Sequence, residues 1–263
     1  MNWWQGLVLG LVQGLTEFLP ISSSGHLVLA EAIVGVRLPG LFVEIVLHVA
    51  TLLAVFIVYW QRLLELTKGA VRGDRETWKY IGLLIVATIP AAVIGVLFKD
   101  YFEATFHGLI SLGVEFLVTG VILWSTRWMG RKERGLAMPT VPGALNIGFG
   151  QAFAILPAIS RSGCTVAAGL WGGMDPVKAG EFAFLMSIPV IAGAAVLELP
   201  DLAQNTATVG TGPLIIGFFA SMISGVIAIR WLVGMLQRGT FYRWAPYCWV
   251  LGIASIVWGV LVP

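Results

Sequence analysis

Two short stretches carry side chains that could do chemistry, and both contain a Leu-Pro pair: LPISSSGH at 19–26 and LPAISRSG at 156–163. Gln13 and Glu17 stand four residues apart just before the first, so they share one helix face. The first stretch supplies Ser22, Ser23, Ser24 and His26; the second supplies Ser160, Arg161 and Ser162, with Thr165 just beyond. Glu44 and His48 repeat the four-residue spacing further along. Arginine is suited to planar, bidentate binding of phosphate oxygens, and residues that open a helix after a proline offer backbone N–H groups to an anion. A serine near a histidine and a carboxylate has the parts of an activated nucleophile and its base. If the two stretches meet, they predict phosphoryl transfer or hydrolysis at a membrane, on a substrate whose tail stays in lipid.

The elements that must bring them together are set by composition. Of 263 residues, 58% are hydrophobic and 11% charged, against roughly 25% charged in a soluble domain. Mean hydropathy is +0.89, outside the range of water-soluble chains. A net charge of +2 gives no reason to expect a nucleic-acid partner. Two cysteines, Cys164 and Cys248, exclude a disulfide scaffold and a cysteine-rich metal site. MNWWQGLVLG lacks a basic n-region and is read as mature structure rather than a signal peptide.

A helical span needs about 20 mainly apolar residues. Six stretches qualify at or near that length: 41–60, 81–98, 108–124, 179–197, 213–229 and 245–262. Two more apolar segments, 3–37 and 142–174, are broken by a proline and a serine-rich turn. Non-helical backbone at membrane depth survives only where protein or a wet cavity surrounds it, so both are read as re-entrant helix hairpins. The expected fold is therefore an all-α polytopic membrane protein with six transmembrane helices and two re-entrant hairpins.

Basic residues orient it. Arg62, Lys68, Arg72, Arg75 and Lys79, then Arg127, Arg131, Lys132 and Arg134, then Arg230, Arg238 and Arg243 fall in three segments that alternating spans put on one side. The opposite side carries only Arg37 and Lys99. The positive-inside rule makes the basic side cytoplasmic. Both termini then face outward, the first hairpin enters from outside and the second from the cytoplasm, and the pocket opens on the outer, periplasmic side.

The halves also match. Gln13 pairs with Gln151, Leu19-Pro20 with Leu156-Pro157, Ser22-x-Ser24-Gly25 with Ser160-x-Ser162-Gly163, and Glu44 with Glu181, at offsets of 137 or 138 residues. One membrane domain, 1–263, is thus read as repeat one (1–130, hairpin 3–37) and repeat two (142–263, hairpin 142–174). An odd number of crossings per half inverts the second, an architecture common among transporters.

Several residues have plainer readings. A serine in an apolar helix commonly bonds backbone or packs small. His107 at a span edge, Glu115 and Glu198 are expected to be structural or interfacial, and Cys164 to pack. The tryptophans near span ends form an aromatic belt. Arg161 has no such reading, because a mid-membrane arginine is costly without a role.

QGLTEFLPISSSGH at 13–26 resembles the first signature of the undecaprenyl-diphosphate phosphatase family, also called the bacitracin-resistance family. PAISRSGCT at 157–165 resembles its second, a Pro-Gly-x-Ser-Arg-Ser-x-x-Thr pattern. FVEIVLHVATLLAVF and GEFAFLMSIPVIAGA are similar to further family segments, so the likeness covers nearly the whole chain. The resemblance implies an inner-membrane hydrolase that removes the terminal phosphate of undecaprenyl diphosphate. That regenerates the lipid carrier of peptidoglycan precursors and confers bacitracin resistance. It implies Gln13 and Glu17 as the paired amide and acid, and Ser23 and His26 as nucleophile and acid–base. Ser160, Arg161, Ser162 and Thr165 form the diphosphate-binding side, with Gln13, Ser22 and Ser24 beside them. Three positions depart from the pattern. Gln13 leaves Glu17 as the only carboxylate of its pair, Ala158 replaces glycine and predicts a tighter or shifted turn, and His48 stands where many members have glutamine and adds a second base.

The expected mechanism has Arg161 clamp the diphosphate while Ser23 attacks. His26, oriented by Glu17, takes the serine proton and later activates water; a rival version makes His26 the phosphorylated nucleophile. A carboxylate beside a diphosphate makes Glu17 the expected holder of Mg²⁺ or Ca²⁺, should a cation take part. The partners expected are the polyprenyl diphosphate, surrounding membrane lipids and, as an alternative to a monomer, a second copy in a homodimer. A polyprenyl-phosphate transporter or flippase remains the competing class, since a carrier needs the arginine but no nucleophile.

Overall fold

Proline bars the residue before it from the helical region. In the computed structural model of the chain, α1 (Trp3–Phe18) accordingly stops with Leu19 extended at φ −64°, ψ 146°. The structure describes residues 1–36, 42–98, 108–129, 135–197 and 210–261. Arg37, Lys99, His107, Arg131, Lys132, Arg134 and Glu198 lie outside them. The helix restarts as α2 (Ser23–Val34), where the Ser22 hydroxyl accepts the Gly25 N–H at 3.3 Å. Ser22 is the one non-glycine residue with positive φ (67°) among the described residues, a conformation that costs of order 1–3 kcal/mol and needs its surroundings to hold it.

The second break is built likewise. α7 (Val141–Phe153) ends at Ala154, and α8 (Arg161–Trp171) begins where Ser160 Oγ accepts the Gly163 N–H at 3.0 Å. Each helix–break–helix segment returns to where it started. The Gln5 side chain donates to Val34 O at 3.5 Å. Leu136 N donates to Gly173 O and Asp175 N to Leu136 O, both at 3.0 Å.

Between and after these segments run α3 (Phe42–Val58), α5 (Arg75–Leu97), α6 (Leu109–Ser125), α9 (Pro176–Leu197), α10 (Thr211–Arg238) and α11 (Ala245–Leu261). α3 continues into α4 (Trp60–Val71) across a 76° bend. Among the described residues, five helical segments are long and apolar enough to cross a membrane, six when the bent pair counts as one. Exposed Ile85, Val96, Val121, Ile223 and Val250 lie on these helices, as a lipid-facing surface requires. The chain is an all-helical, multi-pass membrane protein.

The basic segments differ from the loops expected of them. Residues 60–71 form α4, which buries Leu66. α5 starts at Arg75, capped by the Asp74 carboxylate accepting the Thr77 N–H at 2.8 Å, and α10 runs through Arg230 to Arg238. Hydropathy falls where charges begin, but helical hydrogen bonding does not, so charged turns prolong the spans. The Thr77 hydroxyl donates to the same carboxylate oxygen at 2.6 Å, and these two bonds hold the Asp74 carboxyl below its ordinary pKa.

Small residues decide which helices touch. Gly6, Gly10 and Gly14 recur every four residues on α1, and a Cβ at each would strike the backbone of α10. Without a hydrophobic force in lipid, such close backbone approach is what holds helices together. α1 packs on α10 and α7 on α5; α3 meets α9, and α6 meets α11. The main core gathers Phe18, Leu19 and Ile21 of the first break with Phe182, Phe184 and Leu232.

Candidate active site

The two breaks cross and are stitched by backbone acceptors. Ser22 Oγ donates to Pro157 O at 2.6 Å, and Ser162 Oγ donates to Leu19 O at 3.0 Å. Gly25 is required at the crossing, because a Cβ there would come within 2.7 Å of the Phe116 ring and 3.1 Å of the Ala158 methyl. The Ala158 turn is fully buried and held at both ends. Its N–H donates to Glu115 Oε2 at 2.6 Å and its carbonyl accepts Thr119 Oγ1 at 3.0 Å. Thr119 Oγ1 also accepts the Ser160 N–H at 3.2 Å. Alanine is thus accommodated where the pattern has glycine.

Crossing the breaks gathers the charged groups around Glu17. Its Oε1 pairs with Arg161 Nη2. Its Oε2 accepts from Ser23 Oγ at 2.6 Å and Gln13 Nε2 at 2.9 Å, and His48 Nε2 lies 3.3 Å away. Ser24 Oγ donates to Glu44 Oε1 at 3.0 Å, and His48 Nδ1 donates to Glu44 O at 2.8 Å. Both ring nitrogens of His48 therefore face acceptors. Ser160 Oγ and Ser162 Oγ lie 3.2 Å apart, and Thr165 Oγ1 donates back to Arg161 O at 2.8 Å, bracing the first turn of α8.

A cavity of about 710 Å³ opens on this cluster. Glu17, Ser22, Ser23, Ser24, His48, Ser160 and Arg161 line one part of it, and the rest is mainly apolar wall from α5, α9 and the second break, with Gln151 of α7. Such a shape suits an anionic head group with a lipid tail.

The structure does not bring His26 to Glu17. His26 Nδ1 donates to Ser22 O at 2.6 Å, its Nε2 faces Tyr247 Oη at 2.7 Å, and its ring stacks on Tyr247. The couple expected between Glu17 and His26 is replaced by one between Glu17 and His48. The physical reason is helix direction: His26 lies in the first turn of α2, on the side turned to Phe116 of α6 and Tyr247 of α11. Gln13, Ser162 and Thr165 stand behind the cavity wall as supports. Glu181, the sequence match of Glu44, lies elsewhere, bonded to Arg62 Nε at 2.9 Å and Lys178 Nζ at 3.0 Å.

Sequence reasoning passed over Glu115 and Thr119 as holders of the second break and Tyr247 as the partner of His26. Ser111, Glu115 and Thr119 recur every four residues on one span, a polar stripe that was the available signal. Cys164 is buried, as packing predicts.

Two broken helices facing one cavity within a helical bundle define a multi-pass membrane protein with a buried, charged site. The chain belongs to the family of the bacitracin resistance protein BacA, whose model matches residues 6–254. It is 42% identical over 261 residues to a protein of Carboxydothermus hydrogenoformans named undecaprenyl-diphosphatase, covering 98% of this chain and 97% of that one. It is 44% identical over 256 residues, 96% of both chains, to undecaprenyl-diphosphatase 4 of Bacillus thuringiensis subsp. konkukian. To undecaprenyl-diphosphatase of Desulforapulum autotrophicum it is 40% identical over 278 residues, covering 98% of this chain and 99% of that one.

Proposed function

We propose that this protein hydrolyses undecaprenyl diphosphate to undecaprenyl phosphate and inorganic phosphate in the bacterial inner membrane. In doing so it recycles the carrier of cell-wall precursors and confers bacitracin resistance. The observation that carries the reading is the Ser23–Glu17–Arg161 cluster lining one mainly apolar cavity.

The diphosphate draws Arg161 from Glu17, and the guanidinium fork binds its oxygens in a site where charge is poorly screened. Ser23 Oγ, its proton passing to Glu17 Oε2, attacks the terminal phosphorus. A serine–phosphorus bond forms as the bond to the lipid phosphate oxygen breaks. Water then releases phosphate and Ser23 regains its proton. His48, beside Glu17 Oε2, holds the carboxylate in place. His26 holds the first break to α11.

Mg²⁺ or Ca²⁺ fits as a substrate-borne ion rather than a resident one. Among the described residues no three His, Cys, Asp or Glu side chains group as a metal site. Glu17 is the one carboxylate lining the cavity among the described residues. A hard cation there would complete its shell with diphosphate oxygens and water, supplying positive charge beside Arg161.

The halves are read as inverted repeats of 1–130 and 142–263, each with a re-entrant hairpin. Exchanged packing supports this, α1 on α10 of the other half and α7 on α5. Thr88, Ala91 and Gly95 of α5 and Pro189, Gly193 and Ala194 of α9 are among the residues lining the cavity, in the halves remote from Arg75, Lys79 and Lys178. By the positive-inside rule the site then opens outward and both termini lie outside.

The test is phosphate release from a polyprenyl diphosphate by detergent-purified protein, wild type beside Ser23→Ala and Arg161→Ala. Release by wild type alone is expected. Lipid bound through Arg161 but never hydrolysed by wild type would make the protein a carrier instead.

A further inference from the structure

Gln151 is almost fully buried, yet neither its Oε1 nor its Nε2 has a hydrogen-bond partner among the described residues. It lines the active-site cavity. The other polar side chains on that wall are all engaged: Thr88 donates to Leu84 O, for example, and Ser24 to Glu44. Removing an amide from water without replacing its hydrogen bonds is unfavourable, so a native structure that does so needs a reason.

Comparison with Gln13 supplies one. Gln13 holds the same place before the first break, and its Nε2 is taken up by Glu17 four residues on. Four residues beyond Gln151 stands Ile155, which offers no acceptor. The second half thus carries the amide without the carboxylate. Gln151 lines the same cavity as Arg161, the first residue of α8, with its amide atoms shielded beneath that lining.

We propose that Gln151 is a substrate-positioning residue whose side chain turns into the cavity when the diphosphate binds, its Nε2 donating to a non-bridging oxygen. The inference rests on the hydrolase reading above for its substrate. As a neutral donor Gln151 adds direction without charge. Arg161 supplies the attraction, and the amide fixes how the head group is turned when Ser23 attacks. An acidic residue there would repel the same oxygens.

The experiment compares wild type with Gln151→Leu, Gln151→Met and Gln151→Glu in three measurements. These are thermal unfolding in detergent without substrate, KM and kcat for farnesyl diphosphate, and calorimetric binding of inorganic pyrophosphate. Leucine keeps the volume and removes the unpartnered polar atoms. Its unfolding temperature should equal or exceed that of wild type, while KM rises roughly 10-fold or more, as loss of one hydrogen bond to a charged group predicts. Glutamate should weaken pyrophosphate binding further than leucine does. A leucine variant with wild-type KM and wild-type pyrophosphate affinity would overturn the proposal. So would leucine and methionine variants that both fail to fold, which would make the amide structural. If wild type binds pyrophosphate but releases no phosphate from the lipid, the hydrolase reading falls, and pyrophosphate affinity alone decides the role of Gln151.

Discussion

Glu17, in the last turn of α1, and Arg161, the first residue of α8, form an ion pair between residues 144 apart in sequence. The pair is lopsided: the Glu17 side chain is 2% exposed and that of Arg161 23%. The carboxylate is committed to protein partners, while the guanidinium keeps a face toward the cavity. A charge at this depth costs a few kcal/mol unless partnered, so each break is the condition for the other's charge.

The fork, not only the charge, should matter at Arg161. Arg161→Lys keeps the cation and loses the bidentate geometry. kcat/KM for phosphate release should drop by roughly 10- to 150-fold, the equivalent of about 1.5–3 kcal/mol for one charge-assisted hydrogen bond. Wild-type kinetics in this variant would remove the clamp from the mechanism.

Ser23→Ala should separate binding from chemistry. The variant is expected to retain lipid diphosphate, because Arg161 is untouched, and to release no phosphate above background. Incubation of wild type with substrate followed by a denaturing quench at neutral pH and mass spectrometry should show a phosphate on Ser23. A phosphate found on His26 would reassign the nucleophile.

The two histidines should behave differently. His48→Ala takes away one of the three neighbours of Glu17 Oε2, leaving Ser23 and Gln13. It should lower kcat by roughly 100-fold, the lower range for disturbing a group that takes part in acid–base catalysis. Tyr247→Phe removes only the partner of His26. It should cost about 1 kcal/mol of stability, with kcat changed less than about threefold. Parallel kcat values for the two variants would refute the division of roles.

Glu115 should act on the fold of the second break rather than on the reaction directly. Glu115→Leu leaves the buried Ala158 N–H unpaired, at a cost of about 1–3 kcal/mol. A lower unfolding temperature in detergent is expected. Glu115→Gln, which still offers an acceptor, should recover most of it.

Much of this protein was legible in its sequence because the bilayer allows few solutions. Apolar length located the spans, and a proline followed by Ser-x-Ser-Gly located both breaks. Charged turns hid the true ends of α5 and α10, since hydropathy reports solvent rather than backbone hydrogen bonding. The residue types at 17, 23 and 161 already pointed to phosphate chemistry. Partners were another matter. His26 is nine residues from Glu17 and His48 is 31, yet the nearer one turns to Tyr247 and the farther one reaches the carboxylate. Local spacing says which residues share a helix face. It cannot say where that face points after a break, because the exit direction is set by Ser22 bonding Pro157, Ser162 bonding Leu19 and Glu115 bonding Ala158. Those contacts join residues from distant segments, and only the folded chain brings them together.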